Sequence, residues 1–270
     1  MAGRKKATVH QPSRSNQEFV DGRRNTAYVP QAKQVKVDDG KLRHERPVDQ
    51  LSSSQEKERE MILEAMKGAR GPARGKRHPD GKKTIALDID GVMANFNKAM
   101  SPYGTEVAKG EDSPSEYNYV RAGWFKNFDD FEKAHVTVMD DAGSIPLNDE
   151  TAPKAVRMLK DAGFHVIALT ARRKEWRGGT MEFFDRHGID IQDEELIFAD
   201  MSVKADVAHY DYILDDAPKN IIDTFVNSDS EPVVYGQRYN RHLDNVGNMK
   251  RVQSVLDFAQ YVIDKEGYQV

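Results

Sequence analysis

From residue 84 onward the chain alternates short apolar runs with longer amphipathic stretches. TIALD (84–88), HVIALT (165–170), ELIFA (195–199), DYILD (211–215) and PVVYG (232–236) are mostly rich in Ile, Val or Leu. Apolar runs of this length predict strands buried on both faces. Between them the pattern predicts helices at 150–162, closed by Gly163, at 174–187, closed by Gly188, and at 203–209, 217–226 and 251–264. The last places Val252, Val255, Leu256, Ala259, Val262 and Ile263 on one face. Strands alternating with helices imply an α/β fold with a parallel sheet covered on both sides.

Residues 93–149 break this rhythm. They contain no clear parallel-sheet strand but hold Phe96, Tyr103, Tyr117, Tyr119, Trp124, Phe125, Phe128 and Phe131, eight of the chain's 23 aromatics. Such a concentration predicts a small, mainly helical insertion with its own apolar anchors, beside the C-terminal end of the first strand. Upstream, LSSSQEKEREMILEAMKGARG (51–71) predicts a helix capped by Ser53 or Ser54, with Glu56 or Glu58 near the first turn and Gly68 at its end. Its apolar patch is short (Met61, Ile62, Leu63, Ala65, Met66), which suits docking on the body or on a second copy of the chain as a homodimer. The Gly/Pro/basic stretch 68–83 is a linker. A phosphate-binding loop would need glycine where Arg70 stands and Ser or Thr where Arg77 stands.

Composition divides the chain further. The 270 residues carry a net charge of −4, yet residues 1–83 hold 20 Lys and Arg against 11 Asp and Glu. The remainder is therefore strongly acidic. Residues 1–48 are polar and without sustained period, the signature of a disordered basic arm open to nucleic-acid or protein contact. The absence of cysteine removes disulfides, thiolate nucleophiles and Cys-type zinc sites, and fits a cytoplasmic setting. No apolar run approaches the roughly 20 residues that span a bilayer, so no membrane association is expected. The expected organisation is an arm (1–48), a helix and linker (49–83), and a large domain (84–270) with a core (84–92 and 150–270) and a cap (93–149).

The chemistry gathers at predicted strand ends. Asp88 and Asp90 close the first strand, Thr170 the second, and Asp215 and Asp216 the fourth, while Lys204 opens the helix after the third. In open α/β sheets ligands bind outside the carboxyl ends of the strands, so four chain-distant segments converge on one edge. A lone Asp-x-Asp-Gly is commonly only a turn; the convergence is what favours catalysis. Three or four carboxylates without His or Cys make a hard oxygen site suited to Mg2+. A carboxylate can attack phosphorus to give an aspartyl-phosphate, and a Lys and a metal can neutralise the phosphoryl oxygens. A hydroxyl can hold one oxygen, and a second Asp can move protons.

DIDGV, ALTARR, Lys204 and ILDDAPKN, in that order, resemble the four motifs of the haloacid dehalogenase-like phosphatases across residues 84–270. That resemblance implies a Rossmann-like three-layer sandwich with a small helical cap inserted after the first strand. It implies Asp88 as nucleophile and Asp90 as acid/base, whose main-chain carbonyl also helps ligate Mg2+. Thr170 and Lys204 match the phosphate-binding hydroxyl and lysine, and Asp215 and Asp216 the remaining metal carboxylates. DIDGVMANF, GSIPLNDETAPKAVRMLKDAGFHVIALTARR and QRYNRHL look more closely like the 5'(3')-deoxyribonucleotidase family. There the aromatic eight residues after the nucleophile, here Phe96, helps form the nucleoside pocket. Several of those enzymes carry a basic residue directly after the Asp pair, where this chain has Ala217; Lys219 and Arg172 are the candidates to replace it. Ala171 and Arg172 are candidate substrate contacts beside Thr170. Tyr239 and Asn240 either line the site or close the fold.

The expected function is a Mg2+-dependent phosphomonoesterase of nucleoside monophosphates. Two alternatives remain: a phosphatase of nucleic-acid ends that uses the basic arm to grip the backbone, and a non-catalytic nucleic-acid-associated binding protein.

Overall fold

The sheet is built from β1 (Thr84–Leu87), β2 (His165–Thr170), β3 (Leu196–Phe198), β4 (Tyr212–Asp215), β5 (Glu231–Tyr235) and β6 (Lys250–Val252). A computed structural model describes residues 51–67, 79–199, 202–244 and 246–268. The expectations for the arm and for most of the linker lie outside these residues. All six strands are parallel, in the order β3-β2-β1-β4-β5-β6. The chain crosses from β1 to β2 and β3 on one side, then returns to β4 on the other. That reversal puts the topological switch point beside β1, where α/β sheets leave a crevice at the strand ends.

β1 is apolar after Thr84 because both its faces are covered. Ile85 and Leu87 join one core with Ala155, Val156 and Leu159 of α5 (Ala152–Asp161) and Phe258, Ala259 and Val262 of α9 (Val255–Glu266). Ala86, between them in sequence, faces a second cluster with Ile167, Leu169 and Ile213 and with Ala205 of α7 (Lys204–Val207). Side chains alternate across a strand, so the single residue between two large ones lies on the other side. Each fully buried Ile or Leu contributes roughly 1.5–3 kcal/mol, which anchors the strand that ends at Asp88.

The remaining elements flank this sheet. α6 (Arg177–His187) places Phe183 and Phe184 in the first core, and Gly188 ends it with φ +64°. α8 (Pro218–Asn227) covers the other side through Ile221, Ile222 and Phe225. α1 (Ser53–Ala65) packs outside α8, with Ile62 wholly buried among those residues. Its cap is Ser52, in a reciprocal pair with Gln55, one residue earlier than the sequence pattern places it. Among the described residues no helix is long and apolar enough to cross a membrane.

The insertion carries α2 (Phe96–Met100), α3 (Glu106–Gly110) and α4 (Phe128–Asp140). Its two ends are stitched together: Ala94 bridges Leu147, and the Asn95 and Asn148 amides donate to the carbonyls of Pro146 and Met93. A closed base of this kind holds the cap directly above the end of β1.

The last predicted helix needs a correction. Residues 250–252 form the edge strand β6, and the helix starts only at Val255, capped by the Ser254 hydroxyl.

Candidate active site

Asp88 follows β1 at the switch point and is 6 % exposed. Its Oδ1 accepts from the Ile89 amide at 2.8 Å and lies 2.7 Å from Lys204 Nζ. Lys204 Nζ also donates to Asp215 Oδ2 at 2.8 Å, so one ammonium bridges the ends of β1 and β4. Lys204 reaches this position because the short α7 begins with it, immediately above the sheet edge. Asp215, the last residue of β4, is wholly buried and accepts from the Ala217 amide at 2.8 Å and from Asn220 Nδ2 at 3.0 Å. Asp216 follows it, and its carboxylate accepts from the Tyr239 hydroxyl.

Asp88, Asp215 and Asp216 each offer an oxygen, all within 4.8 Å of one another. Three buried carboxylates face one ammonium. Burial pushes the Asp88 carboxyl up to about 7, with Asp215 adding to the rise and Lys204 opposing it. Burial and the charges of Asp88 and Asp215 push Asp216 well up too. Burial disfavours the charge on Lys204, but Asp215 and Asp88 outweigh it and raise its pKa. A divalent cation seated among these oxygens would supply the missing positive charge. The set fits a hard ion: every donor is oxygen. Gly91, at φ +83°, passes so close that a Cβ there would lie 2.2 Å from Asp216 Oδ2. Only glycine leaves that carboxylate room.

The other candidate residues divide into two groups. Thr170 is 1 % exposed at the end of β2, and its hydroxyl oxygen accepts from the Arg172 amide at 3.1 Å. Asp90 stands apart from the three-carboxylate group. Its carboxylate is gripped bidentately by Arg172, through Nε at 2.8 Å and Nη2 at 2.6 Å, and Arg172 Nη1 donates to Thr180. The Arg172 guanidinium is therefore engaged with Asp90, which leaves any direct substrate contact from it to a rearrangement. Ala171 and Lys219 are exposed beside this edge. Phe96 is 9 % exposed and packs edge-on against Tyr119 and His135 within the cap's aromatic cluster.

The cap lies over these residues. Tyr117 presents a half-exposed side chain whose ring meets that of Tyr239 edge-on, and desolvation with the charges of Asp216, Asp215 and Asp88 pushes its pKa up. Tyr119 donates to Asn97 Oδ1 at 2.7 Å, and burial together with Asp216 and Asp90 raises it likewise. Two rim ion pairs hold cap to core: Glu111 with Arg238 at 2.9 Å and Glu132 with Arg173 at 3.0 Å. Asn220, which sequence reasoning did not single out, joins the site together with Tyr239 and Asn240. Asn220 is five residues beyond Asp215 on the first turns of α8, a spacing readable in ILDDAPKN. Tyr239 and Asn240 come from the segment after β5, a fifth strand end at the same edge.

No family model matches the sequence, and no curated protein matches it. Solved structures do. A HAD family hydrolase from Deinococcus radiodurans, with bound phosphate and sodium, is 10 % identical, with a TM-score of 0.49 over 70 % of this chain and 98 % of that one. A putative beta-phosphoglucomutase from Bacteroides vulgatus is 14 % identical, with a TM-score of 0.46 over 81 % of this chain and 100 % of that one. The D,D-heptose 1,7-bisphosphate phosphatase of Burkholderia thailandensis is 12 % identical, with a TM-score of 0.40 over 67 % of this chain and 99 % of that one. At similarities this low, the functional reading rests on the chain's own residues.

Proposed function

We propose that this chain is a Mg2+-dependent phosphomonoesterase that cleaves nucleoside monophosphates through an aspartyl-phosphate on Asp88. The observation that carries this reading is the bridge from Lys204 to both Asp88 and Asp215 beside Asp216, at the switch point of a parallel sheet.

Each residue has separate work in this mechanism. Asp88 Oδ attacks phosphorus, and the bond from phosphorus to the ester oxygen breaks with its electron pair leaving on that oxygen. Lys204 holds Asp88 in line and offers charge to the phosphoryl oxygens as the transition state forms. The Thr170 hydroxyl holds another phosphoryl oxygen. Asp90 protonates the departing oxygen and later takes a proton from the water that cleaves the acyl-phosphate. The Arg172 fork fixes where the Asp90 carboxyl points. Asp88, Asp215 and Asp216, with the Asp90 carbonyl, would hold Mg2+, which when bound supplies Lewis-acid stabilisation of phosphoryl charge.

The nucleotide preference draws support from the cap. Tyr117 packs edge-on against Tyr239, which bonds Asp216, so this half-exposed tyrosine offers a flat base an aromatic face beside the carboxylates. The closed lid also suits a small substrate by excluding bulk water during attack.

The test is phosphate release by the full chain across deoxynucleoside and ribonucleoside monophosphates, sugar phosphates and a 3'-phosphorylated oligonucleotide, with and without Mg2+. Mg2+-dependent release is expected, with kcat/KM on the preferred nucleoside monophosphate at least about tenfold above that on sugar phosphates, a difference of about 1.4 kcal/mol. Preference for the oligonucleotide would favour the end-processing alternative and a role for the arm.

A further inference from the structure

Four consecutive residues after β5 face two ways. Towards the cap, Gln237 Oε1 accepts from the Ser113 hydroxyl at 3.3 Å, Arg238 pairs with Glu111, and Tyr239 meets the Tyr117 ring edge-on with centroids 5.5 Å apart. Towards the carboxylates, Gln237 Nε2 donates to the Gly91 carbonyl at 2.7 Å, and the Tyr239 hydroxyl donates to Asp216 Oδ2. Asn240 Nδ2 donates to the main-chain carbonyl of Asp216 at 2.8 Å. The segment thus touches both the β1 exit and the residue after β4.

It is also held from behind. Asn240 is wholly buried, and Arg251 donates to its side-chain and main-chain oxygens at 2.8 and 2.7 Å. On the outer side, α1 contributes Arg59, which donates to the His242 carbonyl at 2.9 Å, and Glu58, which lies 2.5 Å from His242 Nε2. A segment fixed at so many points can transmit a constraint.

The terminal torsion of an aspartate is soft, so its carboxylate direction depends on what bonds it. Groups that bond a ligating carboxylate from behind typically govern tenfold to a hundredfold in metal affinity. Here the phenol is that group. A Cβ at Gly91 would lie 3.1 Å from the Tyr239 hydroxyl as well as against Asp216, so the glycine makes room for the pair and not for the carboxylate alone.

We propose that Tyr239 is a positioning residue that aims Asp216 at the cation seat, and that residues 237–240 couple the cap to that seat. The inference rests on the reading that Asp88, Asp215 and Asp216 hold a divalent cation. The coupling is reciprocal by linkage: an ordered cap strengthens cation binding, and the cation in turn orders the cap.

The test measures Mg2+ binding by the full chain by calorimetry, with no substrate present, alongside hydrogen exchange of cap residues 106–126. Tyr239→Phe is expected to bind Mg2+ about tenfold more weakly than the wild type. Tyr117→Ala, at an exposed cap position, is expected to bind it roughly two- to fivefold more weakly. Mg2+ is expected to slow cap exchange in the wild type and to leave it unchanged in Tyr239→Phe. A merely structural phenol would not abolish that response. Wild-type Mg2+ affinity in Tyr239→Phe, or an equal slowing of cap exchange in both proteins, would overturn the positioning role. If Tyr239→Phe does not fold, wild-type affinity in Tyr117→Ala overturns the coupling by itself. A wild-type chain that binds no Mg2+ overturns the cation reading and this inference with it, an outcome distinct from binding that Tyr239→Phe leaves intact.

Discussion

Asp88→Asn is expected to lose phosphate release by roughly 10³-fold or more, the scale seen when an enzyme loses its nucleophile, while the metal-free protein becomes more stable. An amide cannot attack phosphorus at a useful rate, so the kinetic loss needs no change in structure. The stability gain follows from charge. Asp88 titrates at about 7 in the fold against an ordinary 3.8. Between those values the folded chain binds more protons than the unfolded one, so the native state loses stability as pH rises through that window. The penalty is complete above about pH 7 and absent below about pH 4, and Asn removes it. Thermal unfolding without metal should therefore show Asp88→Asn above the wild type at pH 8, by roughly 2–4 °C for each 1 kcal/mol recovered. The difference should vanish towards pH 4. A lower melting temperature at pH 8 would mean that Lys204 outweighs the burial of the Asp88 charge, the reverse of the balance that raises Asp88.

Lys204→Met is expected to move stability the other way while also cutting turnover. Lys204 is 3 % exposed and is paired with Asp88 and Asp215 at once. Removing one partner of a buried pair typically costs roughly 3–5 kcal/mol, because the charge left behind has nothing to balance it. Here two carboxylates are left behind. Protonating Asp88 relieves part of the repulsion, so the loss should be larger at pH 8 than at pH 5. The opposite signs expected for Asp88→Asn and Lys204→Met at pH 8 separate a charge-balance effect from a packing effect; a packing defect would destabilise both. Phosphate release by Lys204→Met should fall by roughly 10²-fold or more, as when other transition-state charge stabilisers are removed. Activity within tenfold of the wild type would reassign the lysine to a structural role.

The parts of the fold that could be read from the sequence share a physical cause. β1, β2 and β4 are buried on both faces, so their middles are uninterrupted apolar runs and polar residues stand only at their ends. β6 is hidden in the sequence for the converse reason. It has three residues, two of them basic, and sits at the edge of the sheet, where charge blunts further pairing. The helix that follows it shares apolar residues with its approach, so periodicity alone starts it a turn early. Its true start is set by one hydroxyl, that of Ser254.

The site is legible where chemistry sits on strand ends. Asp88, Thr170 and Asp215 are each the residue at or just beyond a visible strand, and Lys204 opens a visible helix. What sequence does not reveal is who bonds whom across those ends. Arg172 follows Thr170 closely enough to look like a substrate contact, but Asp90, 82 residues earlier in the chain, takes its guanidinium. QRYNRHL draws attention to Tyr239 but does not say what it bonds: its contact with Asp216 spans 23 residues and two strand ends. Such pairings depend on the sheet bringing its loops together, and no local pattern encodes them.

The central claim is that Asp88 itself takes the phosphoryl group. A rapid acid quench during the first turnover of a 32P-labelled deoxynucleoside monophosphate, with Mg2+ present, tests it directly. Label should appear on the peptide that contains Asp88, before or together with free phosphate, in a form that hydroxylamine releases, and it should be absent from Asp88→Asn. Free phosphate appearing at the full rate with no protein-bound label at any time, and at the same rate from Asp88→Asn, would contradict it.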